Sequence, residues 1–481
     1  MFKRRKMDFT KGPLFWQLLL FMVPIVLTNL LQVLYDTADK VVVGQFSGDP
    51  NALGAIGSTT FISGLILNFI VGVGAGTGVV VAQAFGAKDD KQLSRATHNA
   101  FILGVGMGIL MTVVAYATAV PMLRLLDTKA EVFDSALLYI RIVYAGILAT
   151  AIYNVGSSTL RAVGDSTTSL NIGMISGLIN VLLNLFFVIV CKMSIAGVAT
   201  ATVISKYFSA TAVVYILWRK RHEAYGFSFS KLIPHRGTIL RMLRLGIPTG
   251  LQSTCFSIAN LASTAAINSF DGTVYISARS IATDIDHITS TVAGAFLPAT
   301  LAATGQNAGA EQPDRIKKIF LYSLLQAAVI VGILSNILRI FAGEISLIFI
   351  EANDPHLVEK VAAVKVWCGR LLALQFLNAM LSAATGVIRG LGYSVTPLIF
   401  SLIGSVGSRL AWIYLVFNKL ETRTLEDFRT LSAMYPISWG ISCVLIAGLC
   451  IYAFARLDKV IAERNLKKAA KSQKQAQSAQ N

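Results

Sequence analysis

Twelve long apolar runs divide the chain, at about residues 14–43, 51–83, 93–120, 131–157, 166–190, 195–218, 240–270, 273–304, 315–342, 355–386, 393–417 and 431–456. A helix needs about 20 mostly apolar residues to cross the hydrocarbon core of a bilayer, and every run reaches that length. Several exceed it, which predicts tilt or extension beyond the lipid. The first run is too long for a signal peptide, lacks a small-residue cleavage site and is followed by further spans. The pattern predicts an all-α integral membrane protein of twelve transmembrane helices, with the lipid bilayer as its main partner.

Composition agrees with that reading. Of 481 residues, 54% are hydrophobic and only 14% charged, against roughly 25% charged in soluble domains. Too few charges are present to dress a water-exposed surface, so a soluble enzyme is excluded. Disordered, collagenous and disulfide-rich classes are excluded too. The net charge of +17 would suggest nucleic acid in a soluble protein, so the positions of the charges decide. With the amino terminus inside, 27 of the 42 Lys and Arg residues fall on inside segments and 8 on outside loops. The largest clusters are Lys3, Arg4, Arg5, Lys6 and Lys11, then Arg219 to Arg244, then Arg456 to Lys474. This bias follows the positive-inside rule. It predicts that both termini are cytoplasmic and removes any need for a nucleic-acid partner. Residues 457–481 are Lys-, Gln- and Ala-rich and are expected to form a solvated cytoplasmic tail.

The two halves resemble each other. Pro24 in the first run and Pro248 in the seventh each lie about ten residues into their span, where a proline bends a helix and is a candidate hinge. The second run ends Gln83-Ala-Phe-Gly86-Ala87 and the eighth ends Gln306-Asn-Ala-Gly309-Ala310. Leu160-Arg161-Ala-Val-Gly164-Asp-Ser166-Thr-Thr168 leads into the fifth run. Ile388-Arg389-Gly-Leu-Gly392-Tyr-Ser394-Val-Thr396 leads into the eleventh, at a constant offset of 228. The repeat divides the chain into an amino-terminal lobe (1–218), a cytoplasmic connector (219–238), a carboxyl-terminal lobe (239–456) and the tail. A six-plus-six parallel repeat is the plan of many secondary transporters, whereas a channel usually carries a filter or charged ring, which is not seen here.

These residues, with Asp39-Lys-Val-Val-Val-Gly44, Asn180-x-x-x-Asn184 and Gly197-Val-Ala-Thr-Ala-Thr202, carry a resemblance. Over residues 10–456 the chain resembles the multidrug and toxin extrusion (MATE) family of prokaryotic efflux transporters. The resemblance implies two six-helix lobes around a central cavity, in the bacterial cytoplasmic membrane. It implies outward transport of small lipophilic or cationic compounds, multidrug efflux, in exchange for H⁺ or Na⁺. It further implies an amino-terminal cation site at Asp39, Asn180, Asn184 and Thr202. Asn184 stands where many relatives have Asp, so the site keeps its oxygen donors but loses one formal charge. Oxygen ligands suit hard ions, so Na⁺ and H⁺ both stay open. Interhelical hydrogen bonding is the structural alternative for the asparagines.

Charge inside a membrane is costly and is a functional candidate by default. Four acids fall clearly within the runs: Asp36, Asp39, Asp284 and Asp286. Asp36 and Asp39 are three apart and share a helix face. Two carboxylates so close in a low dielectric do not both ionise readily, which suits a proton carrier. Lys40 is the alternative partner that would neutralise Asp36. In the carboxyl-terminal lobe the chain departs from the NorM-like branch and sits closer to the DinF-like one. Phe256 and Asn378 stand where the NorM-like branch carries acids. Asp286, then Asp284, are the compensating candidates for that lobe's cavity, with Asn378 beside them. Two residues apart, they diverge on a helix, and pairing with Arg279 or Arg370 is the structural alternative.

Other motifs are bland. Gly72-Val-Gly74-Ala-Gly76-Thr-Gly78 mimics a phosphate loop but lies inside an apolar run, where close helix packing is the better reading. The five cysteines show no metal spacing, and no nucleotide-binding phosphate loop exists. The expectation is a secondary antiporter, not an enzyme, without cofactor or metal beyond a coupling ion, and monomeric. A lipid-linked precursor flippase of the same superfamily, and a non-transporting receptor or channel, are the alternatives.

Overall fold

The computed structural model describes residues 6–47, 52–351, 353–420 and 422–480, with side chains as far as Lys459. Lys3, Arg4 and Arg5 of the first basic cluster, Asn51 and Asn481 lie outside the described residues. The helices run α1 (Leu14–Phe46), α2 (Ala52–Gly86), α3 (Asp90–Leu125), α4 (Ala130–Tyr144), α5 (Ile147–Ala162), α6 (Ser166–Leu185), α7 (Ser194–Arg219), α8 (Arg236–Ile267) and α9 (Val274–Gly309). They continue as α10 (Pro313–Ile340), α11 (Ala342–Ser346), α12 (Leu357–Leu371), α13 (Gln375–Gly390), α14 (Val395–Ser401), α15 (Ser408–Leu415), α16 (Leu425–Ser432) and α17 (Met434–Gln480). No strand occurs among the described residues.

Among the described residues twelve helical runs result, and ten of them are long and apolar enough to span a membrane. The fourth is not the single helix expected over 131–157. It is α4 and α5, bent by 44° at Ala145-Gly146. The twelfth run by this test is α8, which is as long as the others but more polar. It carries Arg236, Arg241 and Arg244, then Gln252, Ser253, Ser257, Asn260 and Ser263. Its polarity is tolerated because it packs on protein. A Cβ added at Gly72 of α2 would stand 2.3 Å from the Gly250 backbone, and one at Gly76 would stand 2.4 Å from Gly246. The glycine-rich run is therefore a helix-crossing surface.

The repeat meets itself at one end of the molecule. A Cβ at Gly86 would fall 1.8 Å from the Gln306 carbonyl oxygen, and a Cβ at Gly309 would fall 1.9 Å from that of Gln83. Gln83 Nε2 donates to the Gly390 carbonyl at 2.8 Å, and Gln306 Nε2 donates to the Ala162 carbonyl, also at 2.8 Å. Each lobe thus satisfies an orphan carbonyl at the end of a helix of the other lobe. The next glycines, Gly164 (φ 85°) and Gly392 (φ 100°), terminate those helices in the left-handed region. The amino-terminal segment threads the same junction. Phe9, wholly buried, donates its N–H to Gln306 Oε1 at 2.9 Å, and its carbonyl accepts from Asn307 at 3.0 Å and Arg315 at 2.8 Å.

Cores divide accordingly. At the Gly86–Gln306 end, one core joins Val73–Val155 to Met242, Leu245 and Leu301, and another joins Phe9–Ile25 to Val292–Ala303. Both straddle the lobes. Towards the other end each lobe has its own core, Val42–Val198 in one and Ala266–Trp439 in the other. The lobes are sealed together at one end and separately packed at the other.

One expectation needs correction. Arg161 and Arg389, which fall between the apolar runs and were therefore expected in the connections, lie in the last turns of α5 and α13. Arg161 donates to Ser157 and Ser158 at 2.7 and 3.1 Å, and Arg389, 4% exposed, donates to Gln252. The stretch after α7 is packed and hydrogen-bonded. Phe227 is buried, Ser228 N–H donates to His98 Nε2 at 3.0 Å, and His235 N–H to Asn99 Oδ1 at 2.6 Å, tying it to α3. The backbone beyond residue 456 continues as helix to Gln480.

Candidate functional site

α1 is seated on α6 by shape. A Cβ at Gly177 would fall 1.7 Å from the Tyr35 ring, and Tyr35 donates to the Met174 carbonyl at 3.3 Å. Asp39 is one turn beyond Tyr35, and Asn184 two turns beyond Gly177, so the same helix pairing brings them together. Asn184 Nδ2 donates to Asp39 Oδ1. Thr202 Oγ1, on α7, donates to Asp39 Oδ2 at 3.4 Å and accepts from Asn180 Nδ2 at 3.4 Å. Ser176 of α6 holds α7 in register by donating to the Ser205 carbonyl at 2.8 Å. Asp39, Asn180, Asn184 and Thr202 thus form one hydrogen-bonded cluster. Asn184 is wholly buried, and its Oδ1 has no donor among the described residues. Immediately after it the helix widens into a π turn, Phe186–Val190, a distortion common at functional sites.

Asp36 is exposed, one turn back on α1, and accepts from Gln32 Nε2 at 2.9 Å. Lys40 makes no ion pair with it within 4.0 Å among the described residues. Two groups were missed from the sequence. Lys206 of α7 and Tyr139 of α4 both interact electrostatically with Asp36 and Asp39. The signal for Lys206 was available, since it is a basic residue inside an apolar run, one turn from Thr202.

In the other lobe Asp284 and Asp286 diverge. Asp284 is exposed, while Asp286 is half-buried and accepts from Thr289 Oγ1 at 3.0 Å and Ser290 Oγ at 2.9 Å. Gln375, wholly buried, donates to Ser290 Oγ at 2.8 Å, and its Oε1 has no donor among the described residues. Neither Arg279 nor Arg370 pairs with these acids among the described residues. The cation that faces Asp286 is Arg409, also missed from the sequence. It is held by Asn260 and Ser438 at 3.1 Å each, with its guanidinium 4.6 Å from the Tyr435 ring. Asn378 is half-buried on α13 and does not bond to Asp286. Pro24 and Pro248 lie inside unbroken α1 and α8, and Thr28 donates to the Pro24 carbonyl at 2.7 Å. Among the described residues no three His, Cys, Asp or Glu side chains group to hold a metal ion.

Two six-helix lobes related by a repeat, with charged and amide side chains inside the spans, define a multi-pass membrane protein built on the plan of a membrane transporter. The MatE family model matches residues 24–186 and 248–415, once in each lobe. The chain belongs to the MatE family, a family of membrane transporters. Among curated relatives, the probable multidrug resistance protein YoeA of Bacillus subtilis is 24% identical over 441 residues, 89% of this chain and 92% of the relative. The probable multidrug resistance protein YpnP of the same organism is 31% identical over 310 residues, 64% of this chain and 68% of the relative. A crystal structure of MATE in complex with MaL6 superposes with a TM-score of 0.85 at 20% identity, over 94% of this chain and 99% of that one.

Proposed function

We propose that the protein is a secondary antiporter of the bacterial cytoplasmic membrane, exporting small lipophilic or cationic compounds in exchange for H⁺ carried on Asp39. The observation that carries this reading is the Asp39–Asn184 contact with its spare amide oxygen. An ionised Asp39 accepts from Asn184 Nδ2. A protonated Asp39 needs an acceptor, and Asn184 Oδ1, which lacks a donor, supplies one when the amide turns over. One asparagine therefore serves both protonation states, which a carboxylate at 184 would not. The same free oxygen, with Asp39, Asn180 and Thr202, supports a second reading in which Na⁺ is the transported ion.

On the charge bias we read the Gly86–Gln306 junction as cytoplasmic and the arrangement described above as the outward-facing one. Transport then needs the Gln83 and Gln306 contacts to break as one lobe rocks against the other. Binding drives that motion only by differing in affinity between the two states. The test is drug accumulation in efflux-deficient bacteria. The wild-type protein lowers accumulation of a lipophilic cation, and Asp39→Asn, inserted at the same level, does not. Undiminished export by Asp39→Asn would overturn the assignment.

A further inference from the structure

A basic groove lies apart from both clusters described above. It runs between α12 and the junction of α16 with α17, has a volume of about 580 Å³, and is lined by three cations, Lys365 and Arg370 of α12 and Arg429 of α16. Its other walls are apolar or glycine, chiefly Val366, Leu374, Pro436 and Ile437, and no acid lines it among the described residues. The core of the lobe takes Trp367, Cys368 and Leu371 from α12 and Met434 and Trp439 from α17. The groove residues lie on the face of α12 turned away from that core. Both walls belong to segments long and apolar enough to span a membrane, Leu357–Gly390 and Leu425–Lys459. Arg370 is half-buried near the end of α12, about 20 Å along it from Leu357. It forms no ion pair among the described residues, and a cation so placed in a span is costly. Lys365 is exposed and also unpaired there. Its stem lies across α11, since a Cβ at buried Gly343 would fall 2.0 Å from Lys365 Cε. Arg429 does have a counterion, Glu426 at 3.3 Å, but both are exposed and such a pair is weak. Two of the three charges are therefore unmatched within the described residues.

We propose that this groove binds an anionic phospholipid, with the phosphate held by Arg370 and Lys365, Arg429 at its rim, and an acyl chain laid on Val366, Leu374, Pro436 and Ile437. Charge and surroundings both favour that occupant. The groove opens away from the protein core between two spans, so lipid is what meets it, and basic pockets between membrane helices take anionic headgroups. A guanidinium matches a phosphate with paired N–H donors. A zwitterionic lipid would bring its own ammonium among these cations, so net negative charge is what the groove selects. Bound there, the lipid bridges α12 to α16 and α17, whichever ion drives transport.

The test titrates the purified full-length protein with lipid and counts bound molecules by native mass spectrometry, comparing phosphatidylglycerol with phosphatidylcholine of the same chains. The wild-type protein is expected to hold one phosphatidylglycerol about tenfold or more tightly than phosphatidylcholine, a hydrogen bond to a charged group being worth that much. Arg370→Gln is expected to abolish this preference and leave phosphatidylcholine binding unchanged, while Arg370→Lys keeps most of it. Arg141→Gln removes an exposed arginine of α4 outside the groove and is expected to change nothing. Where Arg370→Gln does not insert, Lys365→Gln and Arg429→Gln, both at exposed positions, give the same comparison. Millimolar inorganic phosphate is expected to leave the bound lipid in place. Equal affinity for the two lipids, an unchanged preference in the groove variants, an equal loss in Arg141→Gln, or displacement by inorganic phosphate overturns the proposal. None of these outcomes bears on Asp39 as the exchange site.

Discussion

Gln306 is the side chain whose loss should most directly unbalance the two states. It is wholly buried, and it holds two groups across the junction, the Phe9 N–H at 2.9 Å and the Ala162 carbonyl at 2.8 Å. Gln306→Ala leaves both unsatisfied in the sealed state. A buried polar group without its partner costs about 1–3 kcal/mol, so the sealed state loses about 2–6 kcal/mol. In the opened state water reaches both groups, so little is lost there. The low end of that range is already a shift of about 30-fold in the equilibrium. Labels at Arg161 and Arg389 would destroy the contacts those side chains make. Asp90 and Asp314 are better sites, because both are exposed and lie in the first turns of α3 and α10, just past the junction. Double electron–electron resonance between labels there should show the short-distance population of the otherwise unsubstituted protein giving way to a longer one in Gln306→Ala. The change should exceed tenfold in the ratio of the two. Gln83→Ala, at a half-buried position, should act in the same direction but less. A ratio altered by less than twofold in Gln306→Ala, in protein that remains folded, would refute the view that these reciprocal contacts hold the end closed.

Three further outcomes follow from local geometry. Gly177→Ala should unseat α1 from α6 and abolish transport, because its Cβ would collide with the Tyr35 ring, and adding Tyr35→Ala should recover part of the activity. Loss without recovery in that double variant would show that the ring is not the obstacle. Asn184→Asp removes the amide donor and adds a charge, so proton-driven uptake should fall at least tenfold while any Na⁺-driven uptake is kept or gained; proton-driven uptake at the wild-type rate would refute the amide exchange. Glu223, in the connector, is paired with Lys6 at 3.2 Å. Burial raises its pKa, but the Tyr225 hydroxyl and the charges of Lys6 and Lys220 outweigh this and hold it below the usual range. Its contribution is therefore present above the unfolded value of about 4.3 and is lost only as pH falls through the lowered folded value. The carboxyl carbon shift of Glu223, read by nuclear magnetic resonance, should stay at its ionised value from pH 5 to 8, and a titration within that window would contradict the assignment.

Much of this architecture is legible in the sequence because the bilayer imposes it. Apolar length marks the spans, and the motifs at Arg161 and Arg389, 228 residues apart, mark the repeat. The cluster at Asp39 could be assembled because helical spacing relates Asn180 to Asn184, and family resemblance supplied Asp39 and Thr202. The rest depends on tertiary contact. Nothing local distinguishes Ala145-Gly146 as a bend, since Gly inside an apolar run is ordinary in membrane helices. Gln83 and Gln306 are recognisable as repeated motifs, yet only the crossing of α2 and α9 reveals that each caps the other lobe. Arg161 and Arg389 were misplaced because the charge rule assigns any arginine near a span end to a loop, whereas here buried serines and Gln252 receive them. Lys206 and Arg409 escaped notice for the complementary reason: a search for acids overlooks the cations that balance them.

The central claim, that Asp39 carries the exchanged ion, is tested most directly in sealed vesicles containing purified protein and a fluorescent lipophilic monocation. A pH gradient is imposed without Na⁺, or a Na⁺ gradient at uniform pH, for the wild-type protein and Asp39→Asn. The account predicts uptake against the concentration gradient that follows the pH gradient in the wild-type protein, and only passive equilibration in Asp39→Asn. Gradient-driven accumulation persisting in Asp39→Asn would contradict it.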